Sequence, residues 1–169
     1  MQAEDLKALQ APLKERYRND PDAALITLRA TGQAAEGVVC KVDTGRALIE
    51  AGLHPATGGD GTHICSGDML LEALVACAGV TLRAVATAIG VELRDAVVTA
   101  EGDLDFRGTL GVSKDAPVGF QRIRLAFNLT TDASEEQLAT LVRLTERYCV
   151  VFQTLRSSPS IAVTRTATG

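Results

Sequence analysis

Cys77 and Cys149 are the residues of this sequence best suited to chemistry. Both lie in apolar segments with helical spacing, 72 residues apart, so they can meet only if the two helices pack together. One interpretation is a redox pair, in which a thiolate attacks a peroxide and a second thiol condenses with the sulfenic acid formed. The other is that both are small core residues, since free cysteine is among the most buried residue types.

A reactive Cys77 must be ionised, and its position in the middle of a helix works against ionisation. An apolar environment raises the pKa of a thiol. Only the first turn of a helix has free N–H groups to offset this effect, and Cys77 is far from that turn. We therefore expect an arginine, brought in from a strand or from a partner chain, beside the Cys77 sulfur.

The helix that carries Cys77 is predicted over residues 68–89. Ser66 can cap it, Asp68 complements its dipole and Gly90 ends it. Its apolar surface runs nearly all round, which predicts burial on most sides. The apolar stretch Met69–Val91 is long enough to cross a membrane, but its charged, Ala and Thr residues favour a buried helix of a soluble protein over a span.

Cys149 belongs to a second predicted helix, which starts at a capping box, Ser134 to Gln137, and keeps one apolar stripe through Phe152. Alternating residues predict short strands in the rest of the chain. The predicted elements are a helix over 3–18, strands Ala24–Thr31, Val38–Asp43, Arg46–Glu50, 91–106, Gln121–Thr130 and Ile161–Thr164, a turn Gly32–Gly37 and a Gly-rich loop over 51–67. Together they predict an α+β domain over residues 23–169, preceded by an N-terminal helix and linker over 1–22.

The composition restricts the possible partners. The formal net charge is −4 and no run of Lys or Arg occurs, which argues against a nucleic-acid partner. The first twenty residues are charged and lack the apolar core of a signal peptide, so we expect a cytoplasmic protein. In a reducing compartment the four cysteines are not a disulfide framework by default.

His54, His63 and Cys65 share the Gly-rich loop and raise the question of a metal site. Imidazole and thiolate suit zinc, but this spacing matches no common zinc site, and Cys40 would be needed as a fourth ligand. We expect no metal and no cofactor, and interpret the loop as lining a pocket entrance.

Two segments resemble the family of OsmC-like and organic-hydroperoxide-resistance proteins. The first is Ser66–Leu82, with an acidic residue, apolar residues, a cysteine and a Thr-Leu ending, preceded by Gly58-Gly59-Asp60-Gly61. The second is Tyr148–Leu155, around the second cysteine. The resemblance covers roughly residues 25–165.

The resemblance implies a fold, an assembly and a reaction. The fold would be an intertwined homodimer with two long central helices, wrapped by antiparallel sheets from both chains. Cys77 would be the peroxidatic and Cys149 the resolving cysteine of a thiol peroxidase that acts on apolar organic hydroperoxides. A dithiol reductant, either a lipoylated protein or a thioredoxin-like one, would then reopen the disulfide.

The resemblance also implies an arginine from the first hairpin, paired with an acidic residue before the first cysteine. The turn Gly32–Gly37 contains no arginine, so Arg29 and Arg46 are the nearest candidates. Asp68 stands at the acidic position, and Glu72 could substitute for it. These differences motivate a second hypothesis, a protein that binds a small apolar molecule without peroxidase activity. A third is a dimeric scaffold with inert cysteines.

Overall fold

The computed structural model describes residues 2–5, 8, 10, 11, 19, 31–34, 40–43, 48–111 and 113–167, and only the backbone for residues 31–34 and 40–43. Of the predicted N-terminal helix, residues 3–5, 8, 10 and 11 are helical, and its other positions lie outside the described residues. The predicted strand Ala24–Thr31 lies outside them as well, apart from Thr31.

Beyond the N-terminal helical positions, the described residues form two sheets and four helices, in an α+β arrangement. The elements are β1 Thr31–Ala34, β2 Cys40–Asp43, β3 Leu48–Gly52, β4 Ile64–Cys65, α1 Ser66–Ile89, β5 Asp95–Asp103, α2 Phe106–Thr109, β6 Arg122–Thr130, α3 Glu135–Tyr148 and α4 Val150–Arg156, with a 3-10 turn Pro55–Thr57 before β4. One sheet has the order β1-β2-β3-β4, antiparallel except for the parallel pair β3–β4, and the other is the antiparallel pair β5–β6.

Helix α1 is the element against which the rest of the described chain packs. It contacts β5, α3 and α4. It ends at Gly90, whose φ of 72° is left-handed and favours glycine. The cap at its start is Cys65 rather than the predicted Ser66, which is the first helical residue. The Cys65 side chain makes no hydrogen bond that caps the helix.

One face of α1 is buried and the opposite face is exposed, so the prediction of burial on most sides is wrong for the single chain. Leu74, Ala78 and Leu82 are 0–1% exposed and point towards β5 and α3. On the opposite face, Val80 is 73% exposed and Leu70 38%. The described elements cover only one side of the helix, although its apolar surface continues round it.

By length and composition alone, α1 could cross a membrane, and no other helix among the described residues could. A single helix of this kind says little, because the core helix of a soluble protein passes the same test.

The second sheet shows how well an alternating pattern predicts a half-buried strand. Inward and outward residues alternate along the whole of β6, as predicted. Its partner β5 ends at Asp103, so the prediction of strand character through Phe106 is wrong, because Asp105 accepts a hydrogen bond from the Arg107 N–H and caps α2.

Two further predictions of local structure are wrong. Strand β1 extends over Thr31–Ala34, although a turn was expected from Gly32 onwards, because the backbone of these residues pairs with β2. Ile161–Thr164 forms no strand, since no described strand lies beside it, and the side chains of Ile161 and Val163 are 84% and 90% exposed.

Candidate active site

The packing of α1 against α3 and α4 brings Cys77 and Cys149 together. Cys77 lies in the middle of α1 and is half-buried, and Cys149 lies at the junction of α3 and α4 and is 1% exposed. The two thiols are neighbours, since each is among the groups that shift the pKa of the other. Two neighbouring thiols can exchange a proton or, on oxidation, condense to a disulfide.

Cys149 breaks the second helix into two. The capping box at Ser134 and Gln137 starts α3 as predicted, but Cys149 has φ −74° and ψ 108°, which is extended backbone. The predicted stripe through Phe152 therefore does not belong to one continuous helix. Cys149 ends α3 and is also the N-cap of α4, so the first N–H groups of α4 have no carbonyl partner within their own helix.

The break supplies the hydrogen-bond donors that we expected from an arginine. Burial raises the pKa of the Cys77 thiol and is the largest single influence. Four neighbouring groups lower the pKa, in decreasing order of influence: the backbone N–H of Val151, the thiol of Cys149, the backbone N–H of Val150 and the hydroxyl of Thr81. Together they hold the pKa of Cys77 below its ordinary value, because hydrogen bonds to a thiolate favour the charged form. The N–H groups that favour the Cys77 thiolate thus come from the start of a different helix, α4.

Cys149 has the opposite tendency. Burial raises the pKa of the Cys149 thiol, and the nearby Cys77 raises it further. The backbone N–H groups of Phe152 and Val151 offset only part of this. The environment of Cys77 therefore favours the thiolate, and that of the neighbouring Cys149 favours the neutral thiol.

The predicted acidic residues lie apart from the cysteines. Asp68 and Glu72 are exposed and line a surface hollow of α1 and β5 with Ala100. Neither forms an ion pair with any residue that the structure describes, and neither is among the strongest influences on the Cys77 pKa. Arg29 lies outside the described residues, and so does Arg46. The roles of these four side chains remain predictions.

A cavity of about 420 Å³, lined mostly by apolar side chains, lies between α1, β6, α3 and α4, and neither Cys77 nor Cys149 is among its lining residues. Leu74 lines it one helical turn before Cys77, and Phe152 lines it one turn after Cys149. Leu70 and Val80, by contrast, do not line this cavity and are exposed on the opposite face of α1. The full lining is Leu74, Phe120, Gln121, Arg122, Ile123, Leu125, Phe127, Val142, Glu146, Phe152, Leu155 and Arg156.

The two histidines are engaged in local contacts. His54 Nδ1 accepts a hydrogen bond of 3.0 Å from the Ala56 N–H, and its ring stacks on Phe106 with 4.9 Å between centroids. His63 Nε2 lies 3.5 Å from a carboxylate oxygen of Glu50. Among the residues that the structure describes, no three His, Cys, Asp or Glu side chains lie close enough together to bind a metal ion.

Comparison with known proteins gives a family and a fold. The sequence model of the family described as OsmC-like protein matches residues 59–164, a segment that includes both cysteines. The comparison with curated proteins gives no match.

Several solved structures have a similar fold. An OsmC-like protein from Mycoplasma pneumoniae superposes with a TM-score of 0.67 at 16% identity, over 79% of this chain and 89% of that one. An organic hydroperoxide resistance protein from Elizabethkingia anophelis gives 0.64 at 17% identity, and one named OsmC from Legionella pneumophila gives 0.62 at 19%. Each of these two alignments covers 79% of this chain and 91% of the other. At such identities the likeness shows the fold alone.

Proposed function

We propose that this chain, which belongs to the family of OsmC-like proteins, reduces organic hydroperoxides through Cys77 and Cys149. The observation that carries the proposal is the contact between two thiols whose pKa values are shifted in opposite directions. Two proteins of the same fold are named for organic hydroperoxide resistance, which is consistent with this chemistry.

The different environments of the two thiols support different roles in the reaction. The Cys77 thiolate attacks the distal oxygen of a hydroperoxide, an S–O bond forms as the O–O bond breaks, and the alkoxide takes a proton to leave as an alcohol. Cys77 is then a sulfenic acid. The Cys149 sulfur attacks the sulfenic sulfur, water leaves and a disulfide forms. An external dithiol, itself oxidised to a disulfide, restores both thiols. Within the chain, Cys77 and Cys149 carry the reduction of the hydroperoxide, and the external dithiol supplies the two electrons that complete the cycle.

The test is consumption of cumene hydroperoxide with a dithiol as reductant, in the wild type and three serine variants. We expect Cys77→Ser to abolish turnover. Cys149→Ser should complete one turnover and accumulate a sulfenic acid that dimedone traps on Cys77. Cys65→Ser is the matched control, since this half-buried thiol lies outside the pair and should not affect turnover. Turnover by Cys77→Ser at the wild-type rate would refute the proposal.

A second candidate function is binding of a small apolar molecule without peroxidase activity, and the cavity between α1, β6, α3 and α4 favours it. Its volume of about 420 Å³ is in the range of small-molecule pockets, and aromatic and aliphatic side chains form most of its wall. The pKa of Cys77 separates the two functions. A value near or above about 8.5, the unperturbed value, supports binding rather than peroxide reduction.

We also propose that the chain works as a homodimer in which the exposed face of α1 is covered by a partner. Val80 and Leu70 are exposed on this face, and large apolar side chains exposed in this way are typical of an interface. Val80→Glu should shift the sedimentation coefficient from dimer to monomer. Leu110→Glu, at a similarly exposed site away from α1, serves as control. A wild type that sediments as a monomer at micromolar concentration would contradict the dimer.

A further inference from the structure

Most of the phenylalanines of this chain lie round one cavity. The sequence contains four phenylalanines and no tryptophan. Three of the four, Phe120, Phe127 and Phe152, line the cavity of about 420 Å³ between α1, β6, α3 and α4. Each of the three is only half-buried, so its ring keeps a surface that the described side chains do not cover. Aromatic rings attract one another more strongly than their buried area alone accounts for, so these walls favour a ligand with an aromatic ring.

Two side chains of opposite charge line the same cavity without being paired. Glu146 of α3 and Arg156 at the end of α4 both belong to the lining, and neither forms an ion pair with any residue that the structure describes. Arg122, the other charged residue of the lining, is already paired with Asp103, with 3.2 Å between Nε and a carboxylate oxygen. Glu146 is half-buried, and a charge that is partly removed from water favours a partner.

These two charges restrict the polar group that a ligand can carry. A carboxylate alone would be attracted to Arg156 and repelled by Glu146, and an ammonium group alone would experience the reverse. A wholly apolar ligand would remove water from both charges without pairing either of them. A head group that carries one negative and one positive charge is complementary to both side chains. The α-carboxylate and α-ammonium groups of an amino acid form such a head group.

We propose that this cavity binds an aromatic amino acid, with the ring among the three phenylalanines, the carboxylate paired with Arg156 and the ammonium group paired with Glu146. The volume of about 420 Å³ lies within the range of about 300–1,000 Å³ that is typical of small-molecule sites. The inference deepens the second candidate function and rests on it. It is independent of peroxide chemistry, because neither Cys77 nor Cys149 lines the cavity.

The experiment follows the backbone amide signals of the isotope-labelled protein by NMR while L-phenylalanine is added. Three further probes each lack one feature of this ligand: phenylpropionate has no ammonium group, phenylethylamine has no carboxylate and L-cyclohexylalanine has no aromatic ring. We expect L-phenylalanine to bind most tightly of the four. It should shift the amide signals of cavity residues, those of Phe127 and Phe152 among them.

Two charge variants test the pairing of the head group. Arg156→Gln should weaken the binding of L-phenylalanine and phenylpropionate about tenfold, as expected for one lost hydrogen bond to a charged group, and should not weaken that of phenylethylamine. Glu146→Gln should weaken L-phenylalanine and phenylethylamine by a similar factor and should not weaken phenylpropionate. Arg143→Gln removes an exposed arginine of α3 outside the lining, and as the matched control it should leave all four affinities unchanged.

Three results would overturn the inference. L-cyclohexylalanine that binds as tightly as L-phenylalanine would exclude the role of the aromatic ring, and charge variants with wild-type affinity for L-phenylalanine would exclude the pairing. The second candidate function would survive both of these results, whereas a protein that binds none of the four probes at millimolar concentration would contradict it as well. Cys77→Ser is titrated in parallel. Wild-type affinity in this variant, together with a wild type that consumes no peroxide, supports the aromatic site and contradicts the peroxidase function.

Discussion

Val150→Pro would remove one of the two backbone donors to Cys77 with little other change. Val150 is the first residue of α4, where proline is favoured because the N–H has no helical partner and φ is already suitable. Cys149 before it has φ −74° and ψ 108°, which is extended backbone close to the region that a residue preceding proline prefers and far from the helical region that proline disfavours there. The Val150 side chain is 70% exposed, so its replacement removes little packing.

The size of the effect follows from the loss of one hydrogen bond. A net value of about 1 kcal/mol corresponds to a rise of about 0.7 in the pKa of Cys77. Well below the pKa, the thiolate fraction then falls about fivefold. The remaining thiolate is more basic and more nucleophilic, with a Brønsted coefficient of about 0.4–0.5, so the observed rate falls only about twofold. The midpoint of the pH profile is therefore a better measure than the rate at one pH.

The assay is the rate at which iodoacetamide alkylates Cys77 as a function of pH, with the Cys77 peptide quantified by mass spectrometry. Val150→Ala is the matched control that loses the side chain but keeps the N–H. We expect the proline midpoint to lie about 0.7 pH unit above that of the alanine variant. Equal midpoints for the two variants, with both proteins folded, would show that the start of α4 does not stabilise the thiolate. The explanation of the lowered Cys77 pKa would then be wrong.

Three further predictions concern stability. Leu82 is fully buried, so Leu82→Ala should lower the free energy of unfolding by about 2–5 kcal/mol in urea titrations, whereas a loss below about 1 kcal/mol would show that α1 does not form the core. Ser134→Ala should remove about 1 kcal/mol by breaking the capping box of α3, and Ser134→Asp should retain most of it. Hydrogen bonds from Arg124 lower the pKa of Asp103 to about 2. The ionised Asp103 carboxylate therefore stabilises the folded state fully above a pH of about 4, the usual pKa of an aspartate, and this stabilisation is lost as the pH falls towards about 2. Arg124→Gln should raise the midpoint of the Asp103 carboxyl titration by NMR, and an unchanged midpoint would exclude this pairing.

The local features of the fold could be predicted from the sequence because their causes are local. The capping box at Ser134 and the glycine stop at Gly90 involve residues within one or two turns. The alternation along β6 reflects one buried face. The sequence also marked Cys77 and Cys149 as the candidate pair, and the family resemblance is confirmed by the match over residues 59–164.

The break at Cys149 could not be predicted in the same way, because its effect lies in a distant part of the chain. The apolar stripe continues from α3 into α4 with helical spacing, so the hydrophobic periodicity does not mark the break. Only in the folded chain do the N–H groups of Val150 and Val151 meet a sulfur more than 70 residues earlier. The signals that could have hinted at it are two adjacent β-branched residues after Cys149, which have lower helix propensity.

Because the two thiols are neighbours, the stability of the folded protein would also depend on whether they are oxidised or reduced. A disulfide from the middle of α1 to the α3–α4 junction would close a loop of about 72 residues, which by chain entropy stabilises the folded state by about 4 kcal/mol. An oxidised molecule awaiting its reductant would then resist heat and proteases better than a freshly reduced one. The melting temperature would therefore report the redox state of the pair, and reduction would remove a covalent link that joins α1 to both α3 and α4.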